Sequence, residues 1–213
     1  MKISKTVYSK NNNKIELFET QNTNFKKTIL FIGVFHGDEP QGEILINKYM
    51  KTLNEQKLKN KLLFIPCLNP DGKALNTRQN SNKVDLNRNF PTKNWVVATN
   101  PDYFGGNEPN SEIETKFMVE VLEEYKPDFI LSFHAPFEIV NFDGPADEQA
   151  QKISELCGYP VQNDIGYPTP GSFGTYTGVE RNIPVITLEL SETETIEKLW
   201  ERTEKVFEYC TEL

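Results

Sequence analysis

Four short runs of nearly uninterrupted apolar residues constrain the fold of this chain more than any other feature. They are TILFIGVF at 28–35, KLLFIP at 61–66, DFILSF at 128–133 and PVITLEL at 184–190. Such runs are typical of strands that helices cover on both faces, as in parallel sheets. Because segments with helical spacing lie between them, the sequence predicts an α/β chain with three α/β/α layers and a mostly parallel sheet.

Local signals predict the remaining elements. Residues 3–8 and 14–19 are strand-like and are joined by asparagines at 11–13, which favours a hairpin. Helices are predicted from Pro40 to Tyr49, from Ser111 to Tyr125 with Ser111 and Glu114 as a capping box, from Ala146 to Cys157, and from Glu192 to Thr211. Residues 69–110 lack periodicity, and so long a connection in a compact chain is usually functional. The length of 213 residues fits a single domain, 1–213.

The composition narrows the functional class. A formal net charge of -8 at pH 7 argues against nucleic acid or an anionic membrane surface as a partner. No stretch reaches the roughly 20 apolar residues of a membrane span. The first residues lack an apolar leader, so we expect a cytoplasmic protein. Three widely spaced cysteines without a CxxC pair predict reduced thiols, and nothing in the sequence predicts an oligomeric state.

Both histidines of the chain directly follow apolar runs. His36 comes after the run at 28–35, and His134 comes after the run at 128–133. Since the carboxyl ends of parallel strands meet at one edge of a sheet, both imidazoles are expected in the same crevice. Glu39 lies close to His36, and a His/Glu pair with a distant His supplies the three ligands of a catalytic zinc ion. HxxE alone also occurs by chance, but both histidines together predict one Zn²⁺ per chain.

A carboxylate in the last apolar run adds a second chemical group. Glu189 lies between Leu188 and Leu190, where an unpartnered charge is costly unless an arginine satisfies it. A carboxylate beside a zinc ion can take a proton from water and pass it to a leaving amine. We therefore predict a catalytic role for Glu189.

The segment at 77–90 is rich in hydrogen-bond donors. Arg88 could bind a carboxylate through two parallel hydrogen bonds, with Asn87 adding a third. Arg78 could stabilise the oxyanion of a tetrahedral intermediate, and Asp85 could accept a hydrogen bond from a zinc-bound imidazole. The alternative is a solvated loop without a chemical role, as such runs often are.

Several motifs occur together over most of the chain. They are HGDEPQGE at 36–43, NPDG at 69–72, TR and VDLNRNF within 77–90, SFH at 132–134 and TLEL at 187–190. Together they resemble the zinc carboxypeptidase family of the carboxypeptidase A type, in which they follow the same order. The resemblance implies a mixed eight-stranded sheet flanked by helices, with zinc held by His36, Glu39 and His134 and with Glu189 as general base and acid.

The same resemblance implies roles for the polar segment. Arg78 matches the family's oxyanion-stabilising arginine, and Asp85 matches the acidic partner of the first zinc histidine. Asn87 and Arg88 match the pair that binds the terminal carboxylate of the substrate.

Within the family, the small size and the segment at 166–190 resemble the bacterial murein tripeptide amidases. Those enzymes cut the bond between γ-D-glutamate and diaminopimelate in the cytoplasm, so a small murein-derived peptide is the expected substrate. Residues 171–178 are expected to line its pocket, where Gly174 would leave room for a long side chain. Arg181 could answer the acidic charge of diaminopimelate.

Other assignments stay open. The mobile tyrosine of the family is matched by Tyr167 if one residue is deleted before the catalytic glutamate, and Tyr176 is the alternative. N-acyl amino acid deacylases, such as succinylglutamate desuccinylase and aspartoacylase, share HGDE-like and DLNR-like motifs, although NPDG and SFH favour a peptidase. A non-catalytic peptide-binding module is a third hypothesis, which the complete set of expected catalytic positions disfavours.

Overall fold

Seven strands form one mixed sheet in the computed structural model, which describes residues 1–213. The strands are β1 Lys2–Tyr8, β2 Lys14–Glu19, β3 Thr28–Ile32, β4 Lys61–Ile65, β5 Phe129–His134, β6 Val140–Asp143 and β7 Val185–Glu189. Their order across the sheet is β1-β2-β4-β3-β5-β7-β6. β4, β3, β5 and β7 are mutually parallel, whereas β2 and β6 run antiparallel to their neighbours. The predicted α/β class with a mostly parallel sheet is confirmed.

The sheet has seven strands, not the eight that the family resemblance implied. At the outer edge of the sheet, the segment after α4 pairs with β6 through one isolated bridge, between Val140 and Val161. Pro160 comes directly before this bridge and has no N–H to extend a ladder. β6 itself could not be predicted from the sequence, because VNFD has four residues of which three are half-buried.

The chain forms five α-helices, and four of them pack against the sheet. The five helices are α1 Gln41–Thr52, α2 Pro70–Leu75, α3 Ile113–Tyr125, α4 Asp147–Cys157 and α5 Ile196–Glu212. Apolar side chains of α1, α4 and α5 share one buried cluster with one face of the sheet, and those of α3 share a second cluster with the other face. None of the helices combines the length and the apolar character needed to cross a membrane.

The side chains of β3 show how one apolar run serves both faces. Ile29 and Phe31 belong to the cluster beneath α1, α4 and α5, whereas Leu30 and Ile32 belong to the cluster beneath α3. All four are fully buried, as alternating side chains of a central strand must be. Burial of each contributes about 1.5–3 kcal/mol to folding.

Two predicted boundaries move inward. β3 ends at Ile32, not at Phe35, because Gly33 lies against the backbone of α1 and Val34 takes a positive φ of 55° that ends the strand. α5 begins at Ile196, not at Glu192, because the Thr195 side chain accepts a hydrogen bond from the Lys198 N–H and caps the helix there.

The predicted capping box of α3 is wrong. Glu112 is the N-cap residue of this helix, and no side chain caps it. Ser111 Oγ accepts instead from Asn89 Nδ2 at 3.0 Å and donates to Glu112 Oε1 at 2.7 Å, so the hydroxyl bonds outside the helix. Glu114 is buried and lies 3.4 Å from Asn80 Nδ2 in the segment at 77–90.

Candidate metal centre and active site

Three neighbouring strands bring the predicted chemical groups to one rim of the sheet. β5 ends at His134 and β7 ends at Glu189, and these two residues are direct partners in the sheet register. β3 pairs with β5 on its other side and leads to His36 four residues after its end. The two imidazoles therefore lie in one crevice, as the strand ends predicted.

A tight turn presents His36 and Glu39 together. Glu39 N donates to the His36 carbonyl oxygen at 3.2 Å, directly before α1 begins. Between them, Gly37 packs so closely against α2 that a Cβ at this position would overlap the backbone of Gly72. Only glycine fits there, so this close packing ties the position of the turn to that of α2.

The three predicted ligands converge. His36 Nδ1 lies 3.3 Å from His134 Nδ1. Glu39 reaches both imidazoles, with Oε1 2.7 Å from His36 Nδ1 and Oε2 3.0 Å from His134 Nδ1. All three residues are buried, and one donor atom from each lies within 4.8 Å of the others. Two ligands of one tetrahedral zinc ion, each about 2.0–2.1 Å from it, lie about 3.3 Å apart, so the donor set fits zinc.

The charges at this point favour a cation. Burial opposes a charge on His36, but the carboxylates of Glu39 and Asp85 outweigh burial and raise the pKa of His36 to about 9. Burial also opposes a charge on Glu39, yet His36 and His134 hold the pKa of Glu39 well below its usual range. A field that stabilises a proton on His36 would also stabilise a divalent ion between these ligands.

Asp85 connects the ligands to the polar segment. Its Oδ1 lies 3.1 Å from His36 Nε2 and accepts from Asn87 N at 2.9 Å, while its Oδ2 accepts from Arg78 Nε at 2.9 Å. The residue is fully buried. Burial favours its neutral form, but His36, Arg78 and Arg88 outweigh burial and hold the pKa of Asp85 well below its usual range. Asp85 thus orients His36 with Nδ1 facing the other ligands.

Glu189 is buried beside the ligands with an unused oxygen. Its Oε2 has no hydrogen-bond partner. Burial raises the pKa of Glu189, His134 opposes the shift and Glu39 adds to it. A carboxylate with a raised pKa and a free oxygen at the strand end has the properties of a general base and acid.

The two arginines differ in their partners. Arg78 forms an ion pair with Asp85, and its Nη1 lies 3.3 Å from His36 Nδ1 and 3.8 Å from Glu39 Oε1. Arg88 is only 5% exposed, makes one hydrogen bond from Nη1 to the Asn87 carbonyl oxygen at 2.6 Å, and forms no ion pair. A buried guanidinium that forms no ion pair can bind a carboxylate through parallel hydrogen bonds.

Comparison with known proteins identifies the family. The family profile described as zinc carboxypeptidase matches residues 1–155. The chain belongs to the zinc carboxypeptidase family. The chain is therefore a hydrolase, which confirms the resemblance of its motifs and favours an enzyme over a binding module.

Relatives within the zinc carboxypeptidase family point to one branch. The murein peptide amidase A of Vibrio campbellii is 33% identical over 174 residues, 76% of this chain and 68% of that protein. The murein peptide amidase A of Escherichia coli K12 is 32% identical over 172 residues, 75% and 69% of the two chains. The crystal structure of the murein-tripeptide amidase from Escherichia coli O157 matches with a TM-score of 0.85 at 25% identity, covering 97% of this chain and 90% of that one.

In this zinc carboxypeptidase, the two candidate tyrosines lie in different surroundings. Tyr167 lines a cleft of about 230 Å³ that also contains Glu189 and Asn87. Tyr176 is buried against Phe90. Arg181 stacks on the Tyr176 ring at 3.4 Å and donates to its carbonyl oxygen, and it does not line the cleft. The expectation that Arg181 answers a substrate charge there is therefore not supported by its position.

Asn87 is oriented by the wall of the cleft. Its Oδ1 accepts a hydrogen bond from Phe173 N at 2.8 Å. Because the amide oxygen is used in this way, the amide nitrogen is left to donate into the cleft. Residues 171–178 supply part of this wall, as the resemblance implied, through Ser172 and Gly174.

Gly174 makes room for a protein side chain. A Cβ at Gly174 would overlap Oδ2 of Asp143, and a Cβ at Gly178 would overlap the Asp143 Cβ. Asp143 lines the cleft from β6. Its burial raises the pKa of its carboxyl group. The prediction that Gly174 leaves space for a substrate chain is corrected, because the Asp143 carboxylate fills that space.

Two residues near the site could not be predicted from the sequence. Asp143 lies on the unpredicted strand β6, whose short V-N-F-D alternation is the one local signal for it. Tyr103 packs near both arginines, 5.4 Å from Arg78 Cζ and 5.5 Å from Arg88 Cζ, in a segment without periodicity. Nothing local in the sequence distinguishes Tyr103 from the other aromatic residues.

Proposed function

We propose that the protein hydrolyses, with zinc, the amide bond before a C-terminal residue of murein peptides, the γ-D-glutamyl-diaminopimelate bond above all. The observation that carries this proposal is a pair of charged side chains that form no ion pair. Asp143 lines the cleft with Glu189 and Asn87, and Arg88 directly follows Asn87 in the chain. Arg88 is a buried cation whose one side-chain hydrogen bond goes to a backbone carbonyl oxygen, and burial is what raises the pKa of the Asp143 carboxylate. Diaminopimelate carries both a carboxylate and an ammonium group.

The roles of the ligands follow from their donor atoms. His36 and His134 would hold one zinc ion through Nδ1, and Glu39 would hold it through its carboxylate. When bound, zinc supplies a Lewis acid that lowers the pKa of water and polarises a carbonyl group. Asp85 keeps Nε2 of His36 engaged, which leaves Nδ1 unprotonated for the metal.

Glu189 moves the proton. Its raised pKa and its free Oε2 favour transfer of a proton from water to the leaving amine through the same carboxylate. Arg78 lies beside the ligands with Nη1 close to His36, where it stabilises the negative oxygen that develops on the attacked carbonyl group.

Other residues bind the C-terminal residue of the substrate, on the leaving-amine side of the scissile bond. Arg88, with the amide nitrogen of Asn87, binds the terminal carboxylate, and the ring of Tyr167 covers it from the cleft. Asp143 binds the distal ammonium group of the terminal side chain. The remaining polar residues of the cleft, such as Asn141 and Thr187, leave hydrogen bonds for the distal carboxylate.

Two further observations support a murein peptide and a cytoplasmic site of action. Curated relatives from Vibrio campbellii and Escherichia coli that are about one-third identical are called murein peptide amidase A. Cys67, Cys157 and Cys210 are all free thiols, which suits a reducing compartment.

Turnover of a small set of peptides tests the proposal. L-Ala-γ-D-Glu-meso-diaminopimelate should be cut fastest. Replacing diaminopimelate by lysine removes the distal carboxylate, and replacing it by norleucine also removes the ammonium group that Asp143 binds. We expect norleucine to lower kcat/KM by about tenfold or more relative to lysine. Cleavage of N-succinyl or N-acetyl amino acids alone would contradict the proposal and identify a deacylase.

The variant Asp143→Asn gives the matched control. It keeps the shape of the side chain and removes its charge, so the lysine peptide should lose its advantage over the norleucine peptide. Turnover of the norleucine peptide should change little. Equal losses for both peptides would assign Asp143 a structural role instead.

A further inference from the structure

Tyr103 contacts both arginines of the site and belongs to neither the metal centre nor the cleft wall. The guanidinium carbons of Arg78 and Arg88 lie 5.4 and 5.5 Å from the centre of its ring. Tyr167 lies 5.9 Å away, centre to centre, and is itself 6.0 Å from Arg88. Two cations thus share one aromatic ring, and a second ring lies against one of them.

The segment that carries Tyr103 is fastened on both sides to the segment that carries the arginines. Gln79 Nε2 donates to the Pro101 carbonyl oxygen at 2.5 Å, and Asp85 N donates to the Phe104 carbonyl oxygen at 2.8 Å. These bonds place Tyr103 between two anchors on the chain that runs from Arg78 to Arg88. Its ring is therefore held at a set distance from both guanidinium groups.

Arg88 has fewer polar partners than Arg78. Arg78 is held by an ion pair with Asp85, whereas Arg88 has one hydrogen bond to a backbone carbonyl oxygen. Arg88 and Tyr103 line a second, largely apolar groove together with Val96 and Val97. In such surroundings the negative face of an aromatic ring is a favourable partner for a guanidinium group.

We propose that Tyr103 is a positioning residue, whose ring holds Arg88 in the place where it binds the substrate's terminal carboxylate and keeps Arg78 beside the metal ligands. This inference rests on the carboxylate-binding role of Arg88 in the proposed function. It predicts that the ring of Tyr103 matters and that its hydroxyl group does not.

Binding measurements in the Glu189→Gln protein, which should bind a peptide without cutting it, test the proposal. L-Ala-γ-D-Glu-meso-diaminopimelate is compared with a peptide in which one carboxylate of diaminopimelate is amidated. This carboxylate is the one on the carbon whose nitrogen forms the scissile bond. With Tyr103 present, the acid should bind more tightly than the amide. Tyr103→Leu should weaken binding of the acid by about tenfold and leave the amide unchanged, so that the ratio of the two affinities falls.

Three controls separate positioning from folding. Tyr103→Phe keeps the ring and should restore the acid-to-amide ratio. Tyr8→Leu makes the same change at a tyrosine that is 52% exposed on β1, and should leave the ratio as it was. The midpoint of thermal unfolding and the zinc content should match among the Tyr103 variants.

The outcomes are distinct. An unchanged ratio in Tyr103→Leu would overturn the inference while leaving the role of Arg88 intact. An equal loss in Tyr103→Phe would also overturn it, because the hydroxyl group would then be what matters. No preference for the acid even with Tyr103 present would contradict the role of Arg88 and with it the proposed function.

Discussion

Asp85 is the residue on which the geometry of the site depends most. It is fully buried. Its carboxylate makes four contacts of 2.9–3.1 Å with His36, Arg78 and the backbone N–H of Asn87. Its negative charge favours both the proton on His36 Nε2 and the nearby guanidinium group. One side chain thus sets the orientation of a ligand and of an arginine that belongs to the proposed oxyanion site.

Asp85→Asn should therefore weaken zinc binding. The amide keeps the size of the side chain but replaces an acceptor with a donor beside Arg78. We expect zinc affinity to fall by about 10- to 100-fold, measured by competition with a chelator of known affinity. Asp71→Asn is the matched control, because Asp71 is also buried and accepts from Ser9, Asn13 and Ser81. A similar loss of zinc affinity in both variants would show that Asp85 acts only through stability.

Glu189→Gln should separate binding from turnover. The amide cannot take a proton from water, so kcat should fall by a factor of about 10³ or more while zinc content and peptide affinity stay close to those of the parent protein. Glu192→Gln, the same change at an exposed position, should keep full activity. Turnover by Glu189→Gln within about tenfold of the parent would refute its role as general base.

At the scale of elements, the polar segment at 77–90 lies against the first turn of α3. Asn80 Nδ2 donates to Glu112 Oε2 at 2.9 Å and lies 3.4 Å from Glu114 Oε2. Both carboxylates are buried, but their environments differ. Burial favours the neutral form of Glu112, yet Asn82, Ser111 and Asn80 outweigh it and lower its pKa, whereas Oε1 of Glu114 has no partner.

Glu114 makes the stability of this packing depend on pH. Burial raises the pKa of Glu114 to about 7, and Glu112 adds to the shift, against an ordinary value of 4.5. Between these two values the folded chain keeps a proton that the unfolded chain has released, so stability falls as pH rises through this window. Glu114→Gln removes the titration and should be about 2–3 kcal/mol more stable than the parent at pH 8, with little difference at pH 4.

Urea unfolding at both pH values measures this effect. Glu112→Gln is the control, because it removes a hydrogen-bonded carboxylate with a lowered pKa and should be destabilising at pH 8. A Glu114→Gln variant less stable than the parent at pH 8 would contradict the assignment of a buried, poorly satisfied carboxylate.

At the scale of the whole molecule, the central sheet follows directly from the sequence. The four apolar runs became β3, β4, β5 and β7, because a strand covered on both faces has few polar residues to obscure its pattern. Both histidines and Glu189 could be located from these strands alone, since strand ends meet at one rim. We propose that residues 1–213 form one domain around this continuous sheet.

Other parts depend on contacts between distant segments. The alternating pattern of β6 is too short to be recognised. For this reason Asp143, whose carboxylate fills the space beside Gly174, could not be predicted. Tyr103 lies in a segment without periodicity that is positioned by bonds to Gln79 and Asp85. The Ser111–Glu114 capping box does not form because α3 has Glu112 as its N-cap residue, and Asn89 Nδ2 donates to the Ser111 hydroxyl.

The central claim is that three side chains from distant parts of the chain bind one metal ion at the rim of the sheet. Anomalous diffraction from crystals of the purified protein, recorded on both sides of the zinc absorption edge, tests it most directly. We predict one peak per chain, about 2.0–2.2 Å from Nδ1 of His36, Nδ1 of His134 and a carboxylate oxygen of Glu39. A zinc peak bound by other residues, or no peak in protein that cuts its peptide after exhaustive chelation, would contradict the account.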